Sequence, residues 1–159
     1  MNYKSPLYLA VLFISLGVFI IILGPGLYAD VNIGQWYGSW QREMFRSLCH
    51  QHIDRTFHIG HVPMVVCSRC FGIYSIFALT VIMIPFIKQS NFRSRFAITL
   101  VLIAILINFI DSVSNAIGIW ENTLSSRFLA GATIGFTAAL LLGTNNPQKF
   151  KELIKHGTT

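Results

Sequence analysis

Between Cys49 and Tyr74 the chain reads Cys-His-Gln-His-Ile-Asp-Arg-Thr-Phe-His-Ile-Gly-His-Val-Pro-Met-Val-Val-Cys-Ser-Arg-Cys-Phe-Gly-Ile-Tyr. All three cysteines of the protein, Cys49, Cys67 and Cys70, and four of its five histidines fall in this stretch. An odd cysteine count argues against a pure disulfide framework. Cys49-x2-His52 and, after 14 further residues, Cys67-x2-Cys70 are two chelating pairs of the spacing that structural zinc sites use. Three thiolates and one imidazole would close a tetrahedral site. These borderline-soft ligands suit zinc, with copper or iron as lesser fits. With water in place of one ligand, such a metal would activate that water instead.

Other residues could work beside such a site. His50, His58 and His61 are candidates for acid–base work, although a histidine on a loop is most often simply solvated. Asp111 is unusual: it lies 15 positions after Phe96, inside an apolar run, which is about 22 Å along a helix rising ~1.5 Å per residue. An intramembrane carboxylate is a functional candidate by default, and its structural alternative is an ion pair with Arg69 or Arg127. Asn108, Asp111, Ser112 and Asn115 would share one face of that helix. Arg55, Arg69 and Arg127 supply guanidinium forks suited to phosphate or carboxylate. An anionic lipid headgroup is the ligand most available at that depth, with snorkelling to the interface as the competing use.

The elements that must position these residues are membrane helices. Of 159 residues, 53% are hydrophobic and 11% charged, against roughly 25% charged in soluble domains, and the mean hydropathy is +0.60. Apolar runs at about 7–27, 70–87, 96–119 and 128–143 predict four transmembrane helices in one membrane domain spanning 1–159. A cleaved signal peptide is the rival for the first run, whose length exceeds an ordinary h-region. Lys4, Lys88, Arg93, Arg95, Lys149, Lys151 and Lys155 lie in the segments at one side of such a topology, accompanied by Glu152. The positive-inside rule then makes that side cytoplasmic, with both termini on it. The net charge of +6 is explained by topology, so no nucleic-acid partner is inferred.

The outer loop, 30–66, and all the cysteines would then face the periplasm or exterior of a cell (inner) membrane. Trp36, Trp40, Met44 and Leu48 fall on one helical face, as in a helix lying in the membrane interface. Gly131, Gly135, Ala139 and Gly143 form a small-residue stripe that lets helix backbones approach closely, within a compact bundle or across a homodimer. The expected architecture is an all-α integral membrane protein, a four-helix bundle with an interfacial helix and a Cys/His-rich outer loop.

Cys49-His50-Gln51, Arg55-Thr56-Phe57 and Cys67-x-Arg69-Cys70-x-Gly72-x-Tyr74, followed by Asp111, Gly118, Asn122, Arg127 and Gly131, resemble the family known as domain of unknown function 2085. Its members are small prokaryotic multi-pass membrane proteins, and the resemblance covers about residues 45 to 135. One departure is Pro63, which stands farther from the cysteine pair than in the family pattern. The resemblance implies that Asp111 and Arg127 belong with the cysteines, and it favours His50 where ligand spacing favours His52. It names no reaction.

Three functions compete. The first is a metal-dependent enzyme acting on a lipid-linked or other anionic substrate. In it Cys49, Cys67, Cys70 and His50 or His52 hold the metal, Asp111 or His50 is the base, and Arg55, Arg69, Arg127 and Asn122 line a polar cavity. The second is a quinone-linked thiol–disulfide oxidoreductase using Cys67 and Cys70, which lacks the second cysteine pair of known four-helix examples. The third is a structural or accessory membrane protein whose zinc only fixes the loop.

Overall fold

The computed structural model describes residues 6–27, 33–59, 61–86 and 94–144. Five helices account for most of them: α1 (Pro6–Leu27), α2 (Ile33–Phe45), α3 (Ser68–Met83), α4 (Ser94–Ala116) and α5 (Leu124–Thr144). Three stretches, Pro6–Gly24, Phe96–Ala116 and Leu124–Gly143, are long and apolar enough to cross a membrane. Of the basic residues behind the expected orientation, Lys4, Lys88, Arg93 and the three lysines of the tail lie outside the described residues.

The second expected span differs in length. α3 has 16 residues and rises only about 24 Å, short of the ~30 Å hydrocarbon core. It starts earlier than the apolar run because Cys67, in extended conformation, caps it ahead of Ser68 and Arg69. It stops at Met83 because Pro85 follows, whose ring and missing N–H cannot continue the helix.

Glycines fix how α3 meets α5. A Cβ on Gly72 would strike the Phe128 carbonyl oxygen, one on Gly131 the Arg69 carbonyl oxygen, and one on Gly135 the Ile73 carbonyl oxygen. The two helices therefore run parallel in backbone contact, and the small-residue stripe of α5 is used within the chain. α1 runs the other way. Tyr8, near its start, donates its hydroxyl to the Val81 carbonyl at 3.2 Å and packs with Ile84 and Ala139. Near its other end, Ile22 packs with Phe45, Cys49, Met64, Val65 and Val66. α4 is antiparallel to α5, to which buried Asn108 donates at the Ala130 carbonyl, 2.8 Å away. Its remaining surface, with Leu106, Phe109 and Ile110, is exposed, as a lipid-facing helix requires.

α2 lies across the cysteine end. Gln41 and Phe45 are buried, and the Gln41 amide donates to the Ile21 carbonyl at 2.8 Å. Trp40, Met44 and Leu48 point the other way and are exposed. That is the disposition expected of an apolar stripe kept for the membrane interface; the Trp36 side chain lies outside the described ones. The loop also contains structure that an all-α reading omits. A 3₁₀ turn at Ile53–Arg55 leads into β1 (His58–Ile59) and β2 (Val62–Pro63), an antiparallel pair with His58 opposite Pro63 and Ile59 opposite Val62.

Candidate metal centre and its cleft

Two separate pieces of chain, the end of α2 and the start of α3, bring the cysteines together. Cys49 follows the turn that ends α2, where its N–H donates to the Phe45 carbonyl at 2.9 Å. Met64, Val65 and Val66 insert into the core, and this drives the returning strand down so that Cys67 arrives as the cap of α3. Cys70 stands in the first turn of that helix. Phe57, Phe71 and Phe128 lock loop, α3 and α5 together, with ring centroids 5.8 to 6.1 Å apart.

The three sulfurs all lie within 4.8 Å of one another. Zinc–sulfur bonds of ~2.3 Å put tetrahedral sulfurs about 3.8 Å apart, so modest side-chain adjustment would let the cluster hold a metal. Two further features bear on Cys49 and Cys67. The Cys67 backbone N–H donates to Cys49 Sγ at 3.2 Å. The Cys67 thiol is held far below the usual thiol range, first by its hydrogen bond with Cys49, then by that with Cys70, with the N–H groups of Cys70 and Arg69 assisting against burial.

These sulfurs form one wall of a cleft of about 270 Å³, whose other lining includes His50, His52, Arg55, Arg69 and Arg127. His50 and His52 stand outside the tight sulfur group, with their rings stacked 6.3 Å apart. Between them Gln51 adopts φ +50°, a left-handed conformation that costs a non-glycine residue ~1 kcal/mol or more. Its side chain offsets this by donating to the Arg42 carbonyl in the last turn of α2 at 2.7 Å. His58 and His61 are exposed on the hairpin and do not line the cleft.

Asp111 reaches the same end from α4. Its Oδ2 pairs with Arg69 Nη2 and accepts from Asn122 Nδ2 at 2.8 Å, while Arg69 Nη1 donates to Ser112 Oγ. Asn115 Oδ1 accepts both the Asn122 backbone N–H, at 3.1 Å, and Arg127 Nη2, at 3.3 Å. Arg127 Nε donates to the Asn122 carbonyl at 3.3 Å. The turn that makes this possible ends α4 at Gly118, φ +75°. Its N–H reaches the Asn115 carbonyl at 3.4 Å, and that of Ile119 the Ser114 carbonyl at 3.0 Å. This is the paired closure of a Schellman motif, where glycine avoids the Cβ clash.

The structure thus gathers Cys49, Cys67, Cys70, His50, His52, Arg55, Arg69 and Arg127 about one cleft, with Asp111 and Asn122 bracing it from behind. Asn115 and Ser112 join the brace; their spacing from Asp111 places them on its face, but nothing in the sequence distinguishes them from Asn108, which ties α4 to α5 instead.

The chain thus combines helices apolar enough to cross a membrane with a cysteine and arginine cleft at one end, the features of a small membrane protein. The model of the family described as "Predicted membrane protein (DUF2085)" matches residues 49–141, more than half of the chain, and the chain belongs to that family. "Uncharacterized protein MJ1492" of Methanocaldococcus jannaschii is 32% identical over 99 residues, covering 62% of this chain and 64% of its own length. An "Uncharacterized protein" of Methanothermobacter thermautotrophicus is 31% identical over 112 residues, 70% of this chain and 95% of its own. No solved structure gives a significant match.

Proposed function

We propose that the protein is a four-span membrane protein, of a cell (inner) membrane in an organism that has two, whose outward end carries a zinc site acting on an anionic, membrane-associated substrate. The observation that carries this reading is the convergence of three sulfurs within 4.8 Å of one another on a cleft lined by three arginines. The four-span topology, with both termini cytoplasmic, is supported by the alternating directions of α1, α3, α4 and α5 and by the basic residues of the inner segments.

In this reading Cys49, Cys67 and Cys70 hold the metal, and His50 or His52 completes the site or faces its fourth position. Zinc supplies Lewis acidity or a water of lowered pKa when bound. His50 is the favoured base, because Asp111 Oδ2 is already committed to Arg69 and Asn122; Asp111 is then a positioning residue. Arg55 and Arg127 hold the anionic group.

The second reading, a quinone-linked dithiol oxidase, draws on the low thiol range of Cys67 at the start of α3. There Cys67 and Cys70 form a disulfide and pass two electrons and two protons to the quinone.

Elemental analysis of the full chain, purified in detergent without chelator, separates them. The metal reading expects close to one zinc per chain, lost in both Cys67→Ser and Cys70→Ser. Metal-free protein whose quinone reduction is abolished by either substitution would overturn it in favour of the redox reading.

A further inference from the structure

The charge of the cleft is unbalanced, and one of its cations is held ready. None of the residues that line it is acidic. Arg69 is matched by Asp111. Arg55 has Asp54 at 3.6 Å, but that carboxylate is 75% exposed and contributes little through water. Arg127 has no carboxylate partner among the described residues. Its Nε and Nη2 donate to the Asn122 carbonyl and to Asn115 Oδ1, both uncharged, and among the described residues no hydrogen bond engages Nη1. Such a guanidinium is oriented without being neutralised, so the entropy of ordering it is spent before any ligand arrives. A divalent metal on three thiolates adds one net negative charge, and Asp111 another. Three guanidiniums exceed both, and the cleft stays cationic.

We propose that Arg127 and Arg55 bind a phosphate group in this cleft, an inference that rests on the reading above in taking the cleft as the working site. Phosphate is favoured over carboxylate by geometry. Arg55 comes from the loop and Arg127 from α5, so they approach from different elements. A tetrahedral phosphate offers oxygens in several directions, whereas a carboxylate offers two in one plane. A volume of about 270 Å³ lies at the lower edge of ordinary ligand pockets, roughly 300 Å³ and upward, and admits a headgroup-sized moiety. The phosphate can come from solution or from a lipid. Leu48 lines the cleft while being 65% exposed, and it continues the Trp40 and Met44 stripe of α2, so a bilayer headgroup has a path in.

The test uses the full chain in an uncharged detergent, with zinc per chain measured on the same sample. Calorimetric titration with inorganic phosphate, with short-chain phosphatidylglycerol and with the matching diacylglycerol, which lacks phosphate, gives the affinities. Saturable binding of either phosphate-bearing probe, with none of the diacylglycerol, is expected. Arg127→Gln and Arg55→Gln should each weaken it about tenfold or more with zinc content unchanged. Tighter binding of the lipid identifies a headgroup, and equal or tighter binding of inorganic phosphate a soluble source. If Arg127→Gln fails to fold, Arg55→Gln decides, since the Arg55 side chain pairs only with Asp54 among the described residues. Zinc-bearing protein that binds neither probe, or whose Arg55→Gln variant binds like wild type, overturns the inference and leaves the metal reading standing. Zinc-free protein that still binds through Arg55 does the reverse.

Discussion

Along the seam between α3 and α5, glycines press on backbone and leave no room for side chains; one turn further on, the same two helices border a cleft lined by cysteines and guanidinium groups. Gly131 sits against the Arg69 carbonyl, while the Arg69 side chain turns away to Asp111. The seam is determined by volume, and a single added carbon is intolerable there. The cleft is determined by charge and hydrogen bonding, where substitutions of equal volume should still be felt. One half of the molecule is thus filled by backbone against backbone, and the half that carries the cysteines is left incompletely filled.

Substitutions can break that contrast at either half. The largest effect is expected for Gly131→Val, whose new side chain meets backbone that cannot move aside. A loss at or above the ~1–3 kcal/mol typical of overpacking should appear as a lowered thermal midpoint or as aggregation of the detergent-purified protein; a wild-type midpoint would refute the close approach. Next comes Asp111→Asn, which keeps shape but removes the charge opposite Arg69. With both side chains about a quarter exposed or less, about 1–2 kcal/mol is expected, below the cost of breaking a fully buried pair. Maleimide should also label the cysteines faster; unchanged labelling and stability would show that Asp111 does not brace the cleft. Gly118→Ala should be mildest, about 1 kcal/mol for a left-handed residue given a Cβ. It sharpens the comparison if it weakens the Asn122 brace while leaving the seam intact, which amide exchange in α5 against that at Asn122 would resolve.

Much of this was legible in the residues. The apolar runs at about 7–27, 96–119 and 128–143 became three helices able to span a bilayer, the small-residue stripe became a packing face, and the cysteine spacing predicted a cluster. Pairing of Asp111 with an arginine is one of the two uses its position suggests, but which arginine it meets depends on how α3 and α4 are each docked on α5. Other features depended on tertiary context. Gly72, the α3 side of the seam, stands in the Cys67-x-Arg69-Cys70-x-Gly72-x-Tyr74 motif, but its spacing carries no signal for packing. The four strand residues are too few for an alternating signal, and their pairing is set by Met64, Val65 and Val66 entering the core. The second span was overestimated because hydropathy runs on through Ile84 and Phe86, whereas Pro85 ends the helix. Asn115, Ser112 and Asn108 look alike in sequence, and only their positions relative to α5 and the α4–α5 turn separate their roles.

Arg69 stands between two cysteines, its carbonyl against α5 and its guanidinium against α4. During biogenesis the guanidinium has no partner before α4 is made and the carbonyl no neighbour before α5 has docked, so the two holds coexist only once both later helices are in place. The cysteine turn, though it lies in the first half of the chain, therefore reaches its final shape only after the second half is in place, and maturation of the site is coupled to completion of the bundle.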